Sequence, residues 1–226
     1  MTRFFRNSIG VWEFLNNPPP VWYNEKQSIM LQGLVIVLSA PSGAGKSTLC
    51  QAITTQSKEI RLSVSCTTRT PRPLEKEGRD YFFLSEKEFL ARRDRGEFLE
   101  WAKVHDHYYS TPRAPIEADL ALGLDVLMDI DTQGAMAVKK SFPDSVLVFL
   151  FPPSWEELEK RLRHRKQDAE SVIQRRLANA RAELDQAPRY DYWVVNDQRE
   201  RAIEDLQAIL RAEHRRPSRL PSCLIV

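Results

Sequence analysis

A chain of 226 residues is long enough to bury one core of ordinary size and calls for no second fold. Its 33 lysines and arginines against 31 aspartates and glutamates leave a formal charge of +2, so bulk charge does not argue for nucleic acid or a membrane as partner and any anion site must be local. Cys50, Cys66 and Cys223 match no disulfide or metal framework, and neither a membrane-length apolar run nor a signal-peptide core is present, so a soluble cytoplasmic protein is expected.

Residues 1–29 carry scattered aromatics without a period, and Pro18 to Pro20 break any helix. The segment reads as an appendage: a flexible tail or sequence upstream of a working start at Met30, with a targeting or partner-binding arm around Arg3 and Arg6 as the alternative. From Leu34 the pattern becomes regular. "LVIVL" predicts a short buried strand running into the glycine loop "SAPSGAGKST", residues 39–48, and Ser47 onward a helix. "DVLMDID", "SVLVFLF" and "YWVVN" predict further strands of one parallel sheet, with helices alternating between them. Capping boxes at Ser85 with Glu88, Ser154 with Glu157 and Asp197 with Glu200 mark helix starts. The last opens a helix whose Ile203, Leu206, Ile209 and Leu210 form one apolar stripe for packing on the sheet.

The glycine loop fits the phosphate-binding pattern G-x-x-x-x-G-K-[ST] at Gly45, Lys46 and Ser47, but its first glycine is Ala40. Strand, loop and helix follow in the required order. Backbone N–H groups between Gly43 and Ser47 are expected to converge on an anion at a helix N-terminus, where the chain wraps the phosphate closely. Position 40 lies at the strand exit, where a methyl group fits if the backbone stays in an ordinary region. Lys46 then supplies charge to β and γ phosphates, and Ser47 a hydroxyl ligand to Mg2+. Downstream, "SCTTRTPRPLEKEGRDYFF" sets Arg69 and Arg72 three residues apart with Tyr81 beyond, either a clamp for a second phosphate or a solvated basic loop.

Seven motifs in order, "SAPSGAGKST", "SCTTRTPRP", "GRDYFF", "FLEWAKVHDHYYSTPR", "DIDTQGA", "RLRHRKQDAE" and "VVND", give the stretch from about Gly33 to Arg211 a resemblance to guanylate kinases. Bacterial members of that family often carry alanine where Ala40 stands. The resemblance implies an α/β P-loop parallel sheet flanked by helices, spanning 30–213, with an inserted GMP-binding subdomain at about 65–117, a helical lid at about 154–181 and a tail at 214–226. It implies ATP contacts from Ala40, Pro41, Ser42, Gly43, Ala44, Gly45, Lys46, Ser47, Thr48 and Asn196. The GMP site it implies consists of Ser65, Arg69, Arg72, Tyr81, Glu100, Tyr109, Thr111 and Asp129, with arginines and tyrosines on the phosphate and Glu100 and small hydroxyls on the base. Glu100 can accept from guanine N1–H and the N2 amino group together, a pair that adenine does not offer.

Of Asp129 and Asp131, Asp129 directly follows the apolar "VLM" and is the expected water-mediated carboxylate for Mg2+, with Asp131 structural. Arg161, Arg165 and Arg176 stand where the family has lid arginines that act with Lys46 in catalysis, or else on a solvated basic helix pair. His164 and Lys166 replace glycines common in relatives, implying a stiffer lid. The implied reaction is phosphoryl transfer from ATP to GMP, and to dGMP, in purine metabolism, without a general base because the acceptor phosphate is largely ionised. No nucleic acid or membrane partner is implied, and the oligomeric state stays open. Two alternatives remain: a guanylate-kinase-like module that binds proteins, which typically lacks a working phosphate loop, and a kinase for another small phosphate ester. The ending "CLIV" only superficially resembles a prenylation box, since Val226 is not a usual last residue.

Overall fold

The computed structural model describes residues 33–104, 106–164 and 170–220, so the 1–29 segment, Arg165, Lys166 and Cys223 lie outside the described residues. In chain order the elements begin with β1 (Val35–Ser39), α1 (Lys46–Gln56), β2 (Ile60–Leu62), β3 (Cys66–Thr67), β4 (Phe82–Phe83) and α2 (Glu86–Asp94). They continue with β5 (Phe98–Val104), β6 (His107–Pro112), α3 (Arg113–Ala121), β7 (Asp125–Asp129), α4 (Thr132–Ser141) and β8 (Val146–Phe151). The last are α5 (Trp155–His164), α6 (Glu170–Leu184), β9 (Tyr192–Val195) and α7 (Arg199–Glu213).

Five strands form one parallel sheet in the order β2-β7-β1-β8-β9. The continuous apolar run of β1 follows from its central place, because both faces are covered. Leu34, Ile36 and Leu38 pack with Leu49, Cys50 and Ile53 of α1 and with Ile203, Leu206 and Leu210 of α7. Val35 and Val37 face the other way, toward Ile116 of α3 and Ala135 and Val138 of α4. The three strands expected after β1 all join this sheet; the short strand β2, only three residues long, carried too little pattern to be seen. Cys50 is core filler, and burial pushes its thiol far above the ordinary range.

Between β2 and β7 the chain builds a second, four-stranded sheet in the order β4-β3-β6-β5. Its β3–β6 and β5–β6 pairings are antiparallel. Phe89 of α2 is fully buried against Cys66 and Phe98 beneath this sheet, its ring 4.8 Å from that of Phe98 and 5.2 Å from that of Tyr108. Leu99 of β5 joins the core of the larger sheet, which fastens the two together.

Two of the three expected capping boxes have their cap bond: Ser85 and Ser154 accept from the backbone N–H of Glu88 and Glu157 at 3.2 and 3.1 Å. The third does not form. Asp197 Oδ1 accepts from its neighbour Gln198 at 2.7 Å and Oδ2 pairs with Arg201 at 3.5 Å, so Gln198 becomes the cap residue without a side-chain bond. The apolar stripe of α7 is unaffected, with Ile203, Leu206 and Leu210 buried. Residues 214–220 are tied down: His214 Nε2 lies 2.9 Å from Asp125, and Arg219 donates to the buried Glu213 at 3.0 Å and to the Asp144 carbonyl at 2.8 Å.

Candidate functional site

The loop after β1 opens at the carboxyl ends of the central strands, where an α/β sheet presents ligands. Ala40 is 6% exposed, packs in the core, and has no positive φ; Leu74 is the only non-glycine residue with one among the described residues. The methyl group therefore costs nothing at the strand exit. Gly43 and Gly45 have φ of +93° and +94°, a region that disfavours side chains. They are also crowded: a Cβ on Gly43 would stand 3.2 Å from Leu158 of α5, and one on Gly45 2.6 Å from Asn196 Nδ2. Ala44 N–H donates to the Pro41 carbonyl at 3.1 Å, and Asn196 Nδ2 donates to the Ala44 carbonyl at 2.7 Å, so Asn196 clamps the loop itself. Ser42 and Thr48 are exposed at its mouth.

Lys46 Nζ lies 2.9 Å from Asp129 Oδ1 and donates to the Ile130 carbonyl at 2.7 Å, while Ser47 Oγ donates to Asp129 Oδ2 at 3.0 Å. One carboxylate thus bridges the loop's lysine and hydroxyl. Ser47 and Asp129 are hard-oxygen donors of the kind that suits Mg2+, which usually completes its shell with phosphate and water rather than a protein cage. Among the described residues no group of three or more His, Cys, Asp or Glu side chains forms such a cage. Asp131 lies beyond the end of β7 and caps α4, accepting from Gly134 N–H at 2.8 Å.

The smaller sheet gathers the other expected residues. A register shift in β5 between Phe98 and Glu100 brings Glu100 opposite Thr111, whose hydroxyl donates to Glu100 Oε1 at 2.6 Å. Burial raises the Glu100 carboxyl above the ordinary range, the Thr111 hydrogen bond opposes the shift, and the Asp131 charge adds to it. The Tyr81 and Tyr109 rings meet edge-on at 6.1 Å, and the Arg69 guanidinium sits 5.5 Å over the Tyr81 ring. Burial also raises the Tyr81 hydroxyl, with smaller influences from Tyr109, Arg69 and Asp129. The two sheets are therefore within electrostatic reach of each other. Ser65 is half-buried beside β3, and the Arg72 side chain is exposed.

Glu75 is a residue that sequence reasoning missed. Both its oxygens accept from Arg69 Nη2, at 2.8 and 3.0 Å, and Oε2 also accepts from the Arg72 backbone N–H at 2.7 Å. Six residues from Arg69 in a loop, it lies at no helix or strand spacing, and only the acid itself in "RTPRPLEKE" could have drawn notice.

On α5 and α6, Leu158, Leu162, Ile173, Leu177 and Ala180 form their own small core, and Leu158 and Leu162 lean on Gly43. Arg161 Nε donates to Glu157 at 2.9 Å, and Arg176 lies on α6. Arg163, also missed, links the pair by donating to Glu159 at 2.9 Å and to both oxygens of Glu170 at 3.0 and 2.8 Å. His164 Nδ1 lies 3.2 Å from the Lys160 carbonyl at the end of α5. No helix among the described residues is long and apolar enough to cross a membrane.

Comparison with known proteins places the chain in a family. A family model described as guanylate kinase matches residues 32–213. The guanylate kinase of Aromatoleum aromaticum is 49% identical over 186 residues, which cover 82% of this chain and 91% of that protein. That of Cupriavidus metallidurans is 51% identical over 180 residues, 80% of this chain and 83% of its own. A crystal structure of guanylate kinase from Anaplasma phagocytophilum is similar with a TM-score of 0.70 and 35% identity, covering 84% of this chain and 92% of that one. With a phosphate loop bridged to Asp129 and a match that runs through both sheets, the chain belongs to the guanylate kinase family.

Proposed function

We infer that the chain transfers the γ-phosphoryl group of ATP to GMP, giving ADP and GDP. The observation that carries this reading is the Glu100–Thr111 pair on the same small sheet as Arg69, Tyr81 and Tyr109, with Tyr81 near enough to the Lys46–Asp129–Ser47 cluster to feel the Asp129 charge. A carboxylate with one hydroxyl partner has acceptor capacity left for N1–H and the N2 amino group of guanine. Against adenine that buried carboxylate has no donors to meet, which is a physical basis for rejection. Contacts to base and phosphate are equally available to dGMP, so the deoxynucleotide is a substrate too.

In the reaction a GMP phosphate oxygen attacks the γ-phosphorus in line as the bond to the ADP oxygen breaks. The acceptor carries its negative charge already, and alignment with charge neutralisation supplies the catalysis. Lys46 holds the β and γ phosphates from the loop, with Gly43 and Gly45 lending backbone N–H groups. Arg161, Arg165 and Arg176 complete the charge from a lid at about 154–181. Ser47 and Asp129, the latter through water, would hold Mg2+, which supplies further neutralisation of the phosphate oxygens when bound. Arg69, Arg72, Tyr81 and Tyr109 grip the GMP phosphate, with Ser65 alongside, within an inserted subdomain at about 65–117. A cytoplasmic setting in purine nucleotide metabolism follows from these substrates. Coupled kinase assays with GMP, dGMP, AMP and UMP test the reading: turnover confined to the guanine nucleotides is expected, and equal turnover of AMP or UMP overturns it.

A further inference from the structure

Arg69 is held in an unusually one-sided way. Nη2 donates to both oxygens of Glu75, at 2.8 and 3.0 Å, and Nη1 donates to the Thr70 carbonyl at 2.7 Å. The third nitrogen, Nε, is buried and has no hydrogen-bond partner among the described residues. Buried donors are nearly always paired, because an unpaired one forfeits its bond to water. With Tyr109 as a further hydrogen-bond partner and the Tyr81 ring 5.5 Å away, the guanidinium is fixed by its neighbours with one donor left unmatched.

Glu75 also organises the chain around it. Its Oε2 accepts from Arg72 N–H at 2.7 Å, and its own N–H donates to the Arg72 carbonyl at 3.1 Å, closing a turn. Leu74, just before it, has φ +81° and is 92% exposed, a left-handed conformation with no packing to justify it. Such strain persists only where surrounding contacts over-determine it. The contacts of Glu75, together with the Arg79 Nη2 donation to the Leu74 carbonyl at 3.3 Å, are the ones within reach. The three side chains Arg69, Arg72 and Glu75 still sum to +1, so the loop stays attractive to phosphate while the carboxylate removes the rotamer freedom of Arg69.

We propose that Glu75 is a positioning residue, which fixes the Arg69 guanidinium and the Thr70–Glu75 turn in the orientation that receives the acceptor phosphate of GMP. This rests on the reading of Arg69 as a phosphate-binding residue. The competing assignment is an internal anion that occupies Arg69 and must be displaced by substrate. The two differ in sign: positioning makes removal of Glu75 weaken GMP binding, and competition makes it strengthen binding.

Steady-state kinetics of Glu75→Ala, Glu75→Gln, Arg69→Ala and the double variant separate them, with each melting temperature measured to confirm folding. Positioning expects Glu75→Ala to raise the GMP KM about tenfold, with the ATP KM changing less than about twofold. Glu75→Gln, which keeps the reach and one acceptor oxygen, loses less. Because Glu75 acts through Arg69, adding Glu75→Ala to Arg69→Ala has little further effect. A lower GMP KM in Glu75→Ala, an unchanged one, a Gln variant no better than Ala, or full additivity with Arg69→Ala overturns the proposal. An Arg69→Ala variant with normal GMP KM overturns the phosphate-binding reading itself, and the proposal with it.

Discussion

On the proposed reading, the larger sheet and the smaller one solve the same problem, holding a phosphate, by different means. Around β1 the anion site is made of backbone: two left-handed glycines, a helix N-terminus and a lysine braced by Asp129, all resting on strands buried on both faces. Around β3 to β6 it is made of side chains, with Arg69 braced by Glu75 and, for the base, Glu100 braced by Thr111, above a core of little more than Cys66, Phe89 and Phe98. Backbone geometry backed by a deep core tolerates few changes and many temperatures. Side-chain geometry over a thin core is easier to adjust and easier to lose, which suits the part that selects the acceptor.

The sharpest way to break this contrast is Phe89→Ala. Phe89 is fully buried under the smaller sheet, and truncating such a ring costs about 3–5 kcal/mol. The expected result is early loss of structure in the smaller sheet, read by hydrogen exchange in β3 to β6, while β1 and β7 keep their protection. Uniform loss across both sheets would show them to be one cooperative unit. Lys46→Ala tests the other region: removing the cation from the phosphate loop is expected to lower kcat by ~10²-fold or more with the melting temperature nearly kept. Near-normal turnover in that folded variant removes Lys46 from catalysis.

Glu100→Gln is expected to act more gently and with opposite signs on binding and stability. An amide cannot offer two acceptors in the carboxylate's geometry, so the GMP KM rises about tenfold, with ATP little affected. Because burial raises the native Glu100 carboxyl above its unfolded value, the native state holds that proton to higher pH than the unfolded chain. Stability from this group is therefore greatest below the ordinary carboxylate value, falls as pH rises from there through the raised value, and levels off above it. GMP affinity runs the other way, since it needs the ionised form. Carboxylates held low elsewhere, Glu75 and Asp80 among them, tilt both proteins alike, so the test is the difference: across that window the wild type should lose melting temperature and gain GMP affinity relative to the Gln variant as pH rises. The smallest effect is expected from Leu74→Gly. Relief of the left-handed strain at φ +81° and the greater freedom of glycine in the unfolded chain are each roughly 1 kcal/mol and oppose each other. A melting temperature within a degree or two and an unchanged GMP KM are the expected outcome; a large gain in GMP KM would show that the leucine side chain itself contacts substrate.

Most of the larger sheet was legible because its signals are local. The run "LVIVL" and the spacing of Gly43, Gly45, Lys46 and Ser47 name a buried strand and an anion loop within fifteen residues. The stripe of α7 likewise declares its packing face. Where local signals conflict with an available partner, they fail: Asp197 has the spacing of a cap, yet its carboxylate pairs with Gln198 N–H and Arg201 instead. The short strands β3 and β4, two residues each, leave almost no period to read, and the smaller sheet became visible only through its resemblance to a family.

By itself, then, the order of residues determined the buried strands, the phosphate loop and the types of side chain available to an acceptor site, because each depends on neighbours within one turn or one strand. Tertiary structure alone decided which of those side chains meet. Asp129 reaches Lys46 and Ser47 across more than eighty residues, a shift in β5 brings Glu100 to Thr111, and Asn196 closes on Ala44 across 152 positions. Glu75 grips Arg69 only because a left-handed turn at Leu74 folds the chain back. Such pairings are set by sheet order, register and turn geometry, which arise from burying apolar faces against distant elements, and a spacing rule along the chain carries no record of them.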